Sequence, residues 1–362
     1  MSHIATNNME SRREIVVKGR GAQVNPTIPF ENRIRSTDLD HIWEDEVVSP
    51  KTRVIDTYPK SIVNKVDSPD TGLEFSLNPY QGCEHGCVYC YARNTHTYWG
   101  YSAGLDFETT LLVKKNAAEL LEQKITSRKW ECRPIMLSGN TDCYQPIERE
   151  YKITRSLLEV FEKYKHPVGI VTKNAMILRD LDLLKELNKL QLVSIAISVN
   201  TLDDKLRRKL EPRASSIPKR LELIDRLTSA GLPVTVLAAP IIPGLNDHDI
   251  INLVKKVASL GARRVSHIVL RLNGDLPEIF KDWLDKSYPD RARKVLNKVS
   301  SMHKGKLGNS VYGERMKGSG LIAEMIDQQF KLAKRLYLVD QPPFKYNTTL
   351  FNKTMNPQLS LF

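Results

Sequence analysis

The sequence predicts an α/β fold, a partial open (β/α)6 barrel with a helical C-terminal extension. From about residue 73, short runs of β-branched and apolar residues alternate with amphipathic helical patterns. Such alternation is typical of a parallel sheet. After about residue 275 the strand patterns stop and only helical patterns continue. Active residues of such barrels collect at the carboxyl ends of the strands, so we expect the site there.

Six segments have the length and residue types of buried strands. They are EFSLNPY (74–80), PIMLSG (134–139), VGIVTKN (168–174), VSIAISVN (193–200), PVTVLAAPII (233–242) and SHIVLRL (266–272). A further run, TTLLVKK (109–115), is predicted as an added strand.

Three segments between these strands have apolar residues at helical spacing. They are RDLDLLKELNKL, IPKRLELIDRLTSAG and HDIINLVKKVASLG, and the last two stop at Gly231 and Gly261. Glycine just past the last turn adopts the left-handed conformation at little cost. Helices are therefore predicted between the strands.

Four regions are predicted along the chain. Residues 1–70 are polar and form an irregular N-terminal arm, and 71–273 form the barrel. Residues 274–338 form helices that close the open side of the barrel or shape a substrate site. Residues 339–362 are rich in proline, asparagine and threonine and are predicted to be a flexible tail.

The formal net charge of +12 favours polyanionic partners, nucleic acid above all, although many soluble proteins are basic. No apolar run approaches the roughly 20 residues of a membrane helix. The N-terminal residues lack the apolar segment of a secretory signal. A cytoplasmic protein without membrane contact is expected.

Three of the five cysteines, Cys83, Cys87 and Cys90, lie within NPYQGCEHGCVYCYA (78–92). Bunched cysteines in a chain of this size indicate metal ligation in a reducing compartment. Three thiolates on one loop can hold three irons of a cubane cluster and leave the fourth iron open. The alternative is a zinc site with His85 as fourth ligand, although structural zinc sites usually take their ligands from two separated pairs.

The CxxxCxxC spacing resembles that of the radical S-adenosylmethionine (SAM) enzymes. From about residue 72 to 335 the chain resembles their spore photoproduct lyase-like, or DNA repair photolyase, group. The resemblance includes LSGNTDCYQPIERE, VTKN, SVNTLDDKLRRKLEPRAS and APIIPGLND. It implies a [4Fe-4S] cluster on the three cysteines, with SAM bound at the open iron. Reductive cleavage of SAM would give a 5′-deoxyadenosyl radical that abstracts hydrogen from a substrate.

The resemblance also implies a SAM site at the strand ends. Tyr89, just before the third cysteine, would lie near the adenine. Asp142 would accept hydrogen bonds from the SAM ammonium group; the alternative is a turn or helix-capping residue. Lys173 would pair with the SAM carboxylate; the alternative is a salt bridge inside the barrel mouth.

Further SAM contacts follow from the fourth and fifth strands. Ser198 and Asn200 alternate along one face and would bind the carboxylate or the ribose hydroxyls, unless backbone groups satisfy them. Ile242 would contact the adenine. Glu211 and Arg213 are predicted to form an internal ion pair or a cofactor clamp.

One departure from the lyase concerns the hydrogen-donating thiol on its second-strand loop. Aligning its aspartate on Asp142 puts Gly139 in place of that cysteine, so spore photoproduct repair does not transfer safely. Cys143 is a substitute candidate, with a packed thiol as the default. Tyr91 and Tyr144 are candidates for radical or substrate contacts, although such tyrosines are more often packing residues.

The last five residues, QLSLF, resemble the peptide with which bacterial DNA polymerases and repair proteins dock on the sliding clamp. Gln358 would fix the register, and Leu359, Leu361 and Phe362 would supply apolar contacts in a groove. The alternative is an undistinguished apolar C-terminus.

The prediction is therefore a radical SAM enzyme that uses a [4Fe-4S] cluster and acts on nucleic acid, with an electron donor such as flavodoxin or ferredoxin. Two alternatives stay open. One is a radical SAM enzyme acting on a protein, peptide or metabolite. The other is a non-catalytic metal-binding module associated with DNA.

Overall fold

The computed structural model describes residues 17–28 and 50–353. The strands within these ranges are β1 (Arg53–Thr57), β2 (Val63–Lys65), β3 (Phe75–Leu77), β4 (Tyr80–Gln81), β5 (Thr110–Lys114), β6 (Ile135–Leu137), β7 (Val168–Thr172), β8 (Val193–Ser198), β9 (Val234–Ile241) and β10 (Arg264–Val269).

The helices in the same ranges include several of a single turn. They are α1 (Asp106–Thr109), α2 (Ala117–Thr126), α3 (Glu148–Tyr151), α4 (Ile153–Lys163), α5 (Leu181–Lys189), α6 (Asp204–Leu210), α7 (Ile217–Ser229), α8 (Ile250–Ser259), α9 (Leu276–Ser287), α10 (Pro289–Met302) and α11 (Gly320–Tyr337). None of the helices in the described residues is both long and apolar enough to cross a membrane.

The six predicted barrel strands form one parallel sheet in chain order. Its strand order is β10-β9-β8-β7-β6-β3-β2, with β2 antiparallel at one edge. Neighbours from β3 to β10 are parallel. The predicted partial (β/α)6 barrel is confirmed, and it is open because β2 and β10 are its two edges.

The first predicted strand, 74–80, is split in two. β3 belongs to the large sheet, whereas β4 pairs antiparallel with β5 in a separate three-stranded sheet that also contains β1. The break falls at Asn78 and Pro79, and proline has no backbone N–H to continue a ladder. The predicted added strand is therefore present, but it lies outside the barrel.

Helices cover the outer face of the sheet with the apolar faces that the sequence pattern predicts. α8, for example, buries Ile250, Leu253, Val254 and Val257. Gly261 follows α8 with a φ of 84°, as expected for a glycine past the last turn.

The described part of the N-terminal region is more ordered than the predicted irregular arm, because β1 and β2 lie within it. The described residues 17–28 also pack on the body of the protein. Gly21 and Ala22 donate backbone hydrogen bonds to the two oxygens of the buried Glu108, at 2.9 and 2.7 Å. Arg20 donates to the Glu108 carbonyl at 2.7 Å. This part of the arm is a component of the core.

The predicted helical extension is present as α9, α10 and α11, and the segment 306–318 between α10 and α11 spans the two edges of the sheet. On one side it bonds to β10 and its continuation, from Val269 N to Met316 O and from Leu272 N to Leu307 O. On the other side it contacts the turn that precedes β3. There Arg315 pairs with Asp70 at 2.6 Å. This segment therefore bridges the open side of the barrel.

The predicted flexible tail differs from the structure over residues 346–353, which lie along the amino-terminal edge of the sheet. Tyr346 hydrogen bonds to Ser194 at the start of β8. The ring of Phe351 packs edge-on against His166, with centroids 5.1 Å apart. Composition alone suggested a mobile tail, but one aromatic side chain in each short stretch is enough to anchor it.

Candidate functional site

The cysteine loop, residues 82–90, follows β3 and β4 at the carboxyl end of the sheet. Its cysteines form no disulfides; Cys83 and Cys87 are buried and Cys90 is partly exposed. Gly82 and Gly86 have φ values of 80° and 66°. A Cβ on Gly86 would lie 2.6 Å from Glu108 Oε2, so a larger residue does not fit without a shift.

The segment LEPR, residues 210–213, holds this loop from one side. Val88 N donates to the Leu210 carbonyl at 3.1 Å, and Arg213 N donates to the His85 carbonyl at 3.3 Å. The Arg213 guanidinium pairs with Glu84 at 3.1 Å. The loop path is therefore fixed by backbone and side-chain contacts on a distant part of the chain.

A buried ion pair holds the loop from the other side. Arg93 and Glu108 are fully buried and paired. Arg93 Nε also donates to the Cys87 carbonyl at 2.8 Å. The sequence analysis did not identify either residue. The only indication in the sequence is that each is a single charged residue within a largely apolar or small-residue segment.

Tyr89 lies on the loop and its hydroxyl donates to Glu211, which is itself paired with Arg220. Glu211 and Arg220 are fully buried. Burial would raise the pKa of Glu211, but Arg220 and Lys173 outweigh it and lower that pKa. The expected Glu211–Arg213 pair is therefore corrected: Glu211 pairs with Arg220, and Arg213 pairs with the loop.

Lys173 follows β7 and carries its charge toward the cysteine loop. Burial alone would lower its pKa, but Cys87, Glu211 and Asp142 outweigh burial and raise it. The ammonium group is therefore held in its charged form next to two of the thiols that the sequence assigns to a cluster. A fixed positive charge favours thiolates and any anionic cofactor group in this space.

Asp142 follows β6 and has both carboxylate oxygens engaged within the protein. Oδ1 accepts from Tyr144 N at 2.9 Å and from the Thr172 hydroxyl at 2.8 Å, and Oδ2 accepts from Lys173 N at 2.8 Å. Burial would raise its pKa, but His85 outweighs it, and the pKa is about 2. These contacts favour the turn-stabilising alternative, while SAM binding by Asp142 stays a prediction.

Ser198, Asn200 and Ile242 lie together at the ends of β8 and β9. The Ser198 carbonyl accepts from Arg220 at 2.9 Å. Ile242 N donates to Asn246 Oδ1 at 2.6 Å, so this backbone N–H is already used within the protein. That side chain is buried in a cluster with Val88.

Asn200 has an unusual environment for a buried amide. It is 1% exposed, and neither its Nδ2 nor its Oδ1 has a hydrogen-bond partner in the described residues. An unpaired buried amide costs free energy, so such groups usually face a ligand or ordered water. This amide, beside Lys173 and Ser198 at the same sheet edge, fits a SAM molecule bound at the strand ends.

The geometry does not favour the zinc alternative. The His85 ring interacts with Cys83 but also with two other side chains, with Nδ1 3.3 Å from Asp142 Oδ2 and Nε2 3.3 Å from Asn174 Nδ2. Within residues 17–28 and 50–353, no three His, Cys, Asp or Glu side chains converge as one metal ion requires. A cubane cluster instead places each thiolate on a different iron and does not need the three thiols to meet at one metal ion.

The three candidate catalytic side chains have different environments. Cys143 and Tyr144 are fully buried; Cys143 packs in the main apolar core, and the Tyr144 hydroxyl contacts Asp180 at 3.1 Å. Tyr91 is 53% exposed and its hydroxyl donates to the Gly139 carbonyl. Of the three, only Tyr91 faces space that a substrate can reach.

The predicted clamp contacts, Gln358, Leu359, Leu361 and Phe362, lie outside the described residues.

Comparisons with known proteins identify the family. The family described as the radical SAM superfamily matches residues 77–257. The uncharacterized protein Rv2578c of Mycobacterium tuberculosis is 33% identical over 234 residues, which cover 64% of this chain and 69% of that protein. The radical SAM Nalpha-GlyT isomerase of Pseudomonas phage M6 is 28% identical over 190 residues, covering 52% and 37%.

Among solved structures, spore photoproduct lyase complexed with dinucleoside spore photoproduct superimposes with a TM-score of 0.58. The sequences are 18% identical, and the match covers 78% of this chain and 79% of the lyase. At this identity the likeness shows a shared fold.

Enzymes of this family bind a [4Fe-4S] cluster and SAM, and the cluster supplies the electron that cleaves SAM. In this chain the cysteine loop would hold the cluster, with Lys173 and Asn200 at the SAM side. The protein is an enzyme, as predicted, so the alternative of a non-catalytic metal-binding module is wrong. The chain, with its cysteine loop at the carboxyl edge of an open six-stranded parallel sheet, belongs to the radical SAM superfamily.

Proposed function

We propose that this radical SAM enzyme acts on nucleic acid. The observation that carries the proposal is a set of exposed basic side chains on α10, a helix that packs against a loop at the carboxyl end of the sheet. α10 packs close to the loop after β9, where an added Cβ on Gly244 would lie 3.3 Å from Val295. The outer face of α10 exposes Arg291, Arg293 and Lys294.

These three cations form no ion pair with the acidic side chains of the described residues, so their charge is available to a partner. The net charge of +12 therefore includes a basic face on α10. Phosphate neutralisation is the main sequence-independent term in nucleic-acid binding. Other cations, such as Arg264, lie at the opposite edge, so the position of α10 rather than the total charge supports the proposal.

One similar structure points in the same direction. The spore photoproduct lyase that shares this fold binds a dinucleoside spore photoproduct. That ligand does not fix the substrate of this chain, but it supports testing nucleic acid before proteins, peptides or metabolites.

The experiment is anaerobic reconstitution with iron and sulfide, followed by reduction with SAM and assay of 5′-deoxyadenosine. It is run with no addition, with undamaged DNA, with ultraviolet-irradiated DNA, with RNA and with a peptide mixture. We expect product formation to rise with one of the nucleic acids. A variant with Cys83→Ala, Cys87→Ala and Cys90→Ala should lose iron and product, whereas Cys132→Ala, outside the loop, should keep both.

A rise in product with peptide, together with no response to any nucleic acid, would contradict the proposed substrate. It would not contradict the radical SAM chemistry, because that chemistry is tested separately by comparing 5′-deoxyadenosine formation in the wild-type protein and the triple cysteine variant.

Two partners follow from the same proposal. One is a small reductant protein such as flavodoxin or ferredoxin, since each SAM cleavage needs an electron. The other is a sliding clamp bound through Gln358, Leu359, Leu361 and Phe362. A peptide of the last ten or so residues, with and without Leu361→Ala and Phe362→Ala, tests clamp binding directly.

A further inference from the structure

Arg271 lies just past β10, at the carboxyl edge of the sheet, where the barrel is open. Its side chain is half-buried. No described residue gives its guanidinium a hydrogen bond or an ion pair. Arginine carries five N–H donors and stays charged, so a half-buried guanidinium without an acceptor is unusual.

The charges around Arg271 do not balance. Its neighbours include Arg315, Asp70 and Tyr91. Asp70 is already committed to Arg315 at 2.6 Å and to Gly313 N at 2.7 Å. Burial and the charge of Arg315 lower the pKa of Arg271. The Asp70 carboxylate is thus used by Arg315, and the charge of Arg271 is left for a ligand.

The position of this charge connects it to the reaction site. Tyr91 directly follows the third cysteine of the loop, is 53% exposed, and interacts electrostatically with Arg271. An exposed aromatic ring beside an arginine is a combination that binds single-stranded nucleic acid, because the ring stacks on a base and the guanidinium contacts the backbone.

We infer that Arg271 binds a phosphodiester group of the substrate strand and thereby places the adjoining nucleotide against Tyr91, beside the cysteine loop. This inference rests on the proposed function and goes further, since it names the contact at the open side of the barrel. It predicts one defined phosphate contact in addition to the general attraction of the basic face on α10.

The test uses the cluster-loaded, SAM-bound protein under anaerobic conditions. The probe is a fluorescein-labelled single-stranded DNA of about 12 nucleotides, within the usual site size of such proteins. Its dissociation constant is measured by anisotropy from about 50 to 200 mM salt, because each phosphate contact contributes about 0.7 to the slope of log affinity against log salt for a single strand.

We expect Arg271→Gln to weaken binding roughly tenfold at the lowest salt and to reduce the slope by about 0.7. Arg271→Lys should restore most of the slope, since it keeps the charge, but only part of the affinity, since it loses the fork of donors. The matched control is Arg226→Gln on α7, an exposed arginine whose nearest carboxylate, Glu222, is 4.0 Å away. It should change neither quantity.

The outcomes separate the inference from the proposed function. If the wild-type protein binds the DNA and Arg271→Gln leaves affinity and slope unchanged, the Arg271 contact is wrong and the nucleic-acid proposal stands. If the wild-type protein shows no salt-dependent binding to DNA but binds a poly-glutamate peptide, both are wrong. If Arg271→Gln does not fold, as judged by circular dichroism, the Lys variant decides through its affinity and slope.

Discussion

The hydroxyl of Tyr89 donates a hydrogen bond to the carboxylate of Glu211, which lies 122 residues further along the chain. Arg220 completes the arrangement, because it pairs with Glu211 and donates to the Ser198 carbonyl. The cysteine loop and the carboxyl end of β8 therefore belong to one hydrogen-bonded unit. Its integrity can be measured separately from catalysis.

Replacing Glu211 should destabilise the whole domain. Glu211→Ala leaves the guanidinium of Arg220 buried without a counter-ion, and breaking a buried pair in this way typically costs about 3–5 kcal/mol. We expect a loss of that size in the free energy of unfolding, measured by urea denaturation. Glu222→Ala, an exposed carboxylate on the same helix as Arg220, should change it by less than about 0.5 kcal/mol. Equal effects in the two variants would contradict the buried-pair interpretation.

Replacing Asn200 should affect SAM binding and not the stability of the fold. Its amide has no partner in the protein, so Asn200→Leu should leave the free energy of unfolding unchanged or raise it. SAM affinity should fall roughly tenfold, because the lost amide contacts are made only to the cofactor. Equilibrium dialysis of SAM against the cluster-loaded protein measures this, with Asn188→Leu on α5 as the control. Lower stability together with unchanged SAM affinity would show that Asn200 is a packing residue.

A decrease in pH should weaken the packing of residues 346–353 on the protein, because Phe351 packs against His166. Burial lowers the pKa of His166 to about 4, with a small opposing effect of the Pro167 carbonyl. The neutral ring accepts a hydrogen bond from Trp130 Nε1 at 3.2 Å. An unfolded histidine has a pKa of about 6.5, so between pH 6.5 and 4 the unfolded chain binds the proton more readily than the folded one.

The free energy of unfolding should therefore fall as the pH decreases through that window. The His166 contribution is on the order of 3 kcal/mol for such a difference in pKa. His166→Gln should make the profile shallower, although His96 and His267, whose pKa values are also lowered to about 4 by burial, keep part of the slope. His248→Gln, at an exposed position, should leave the profile unchanged. Urea denaturation at each pH measures it, and an identical slope in His166→Gln would refute the assignment.

Replacing Cys143 tests whether its thiol substitutes for the hydrogen-donating cysteine of the lyase. Its thiol is buried in the apolar core, and burial raises its pKa well above the ordinary value. We expect Cys143→Ala to lower the free energy of unfolding by about 1 kcal/mol, through the loss of packing. Formation of 5′-deoxyadenosine should continue at the wild-type rate. A large drop in product with the cluster intact would give Cys143 a chemical role.

The sequence predicted the parts of this site that depend on strand position. Strands alternate with helices, and residues just past parallel strands meet at one edge, so Lys173, Asn200 and the cysteine loop were expected there together. The charge pairing was not predictable in the same way. Whether Glu211 meets Arg213 or Arg220 depends on the path of the loop between them, and a pattern of residue types does not contain that path.

The protein contacts of Asp142 and of the C-terminal segment were not predictable for a related reason. The partners of Asp142 include backbone N–H groups of the loop after β7, and backbone donors leave no trace in residue types. Residues 346–353 have the composition of a linker, yet Tyr346 and Phe351 bind them to the sheet. Composition predicts average behaviour, whereas anchoring depends on single side chains.

The segment 306–318 has a consequence for self-association. An exposed strand edge offers unpaired N–H and C=O groups to strands of other molecules, and this is a route to aggregation. Here Met316 and Leu307 occupy two backbone donors of β10 and its continuation. At the other edge, β2 is only three residues long. The open sheet thus leaves little free edge for pairing with a second copy of the protein, and deletion of this segment should promote aggregation before it abolishes folding.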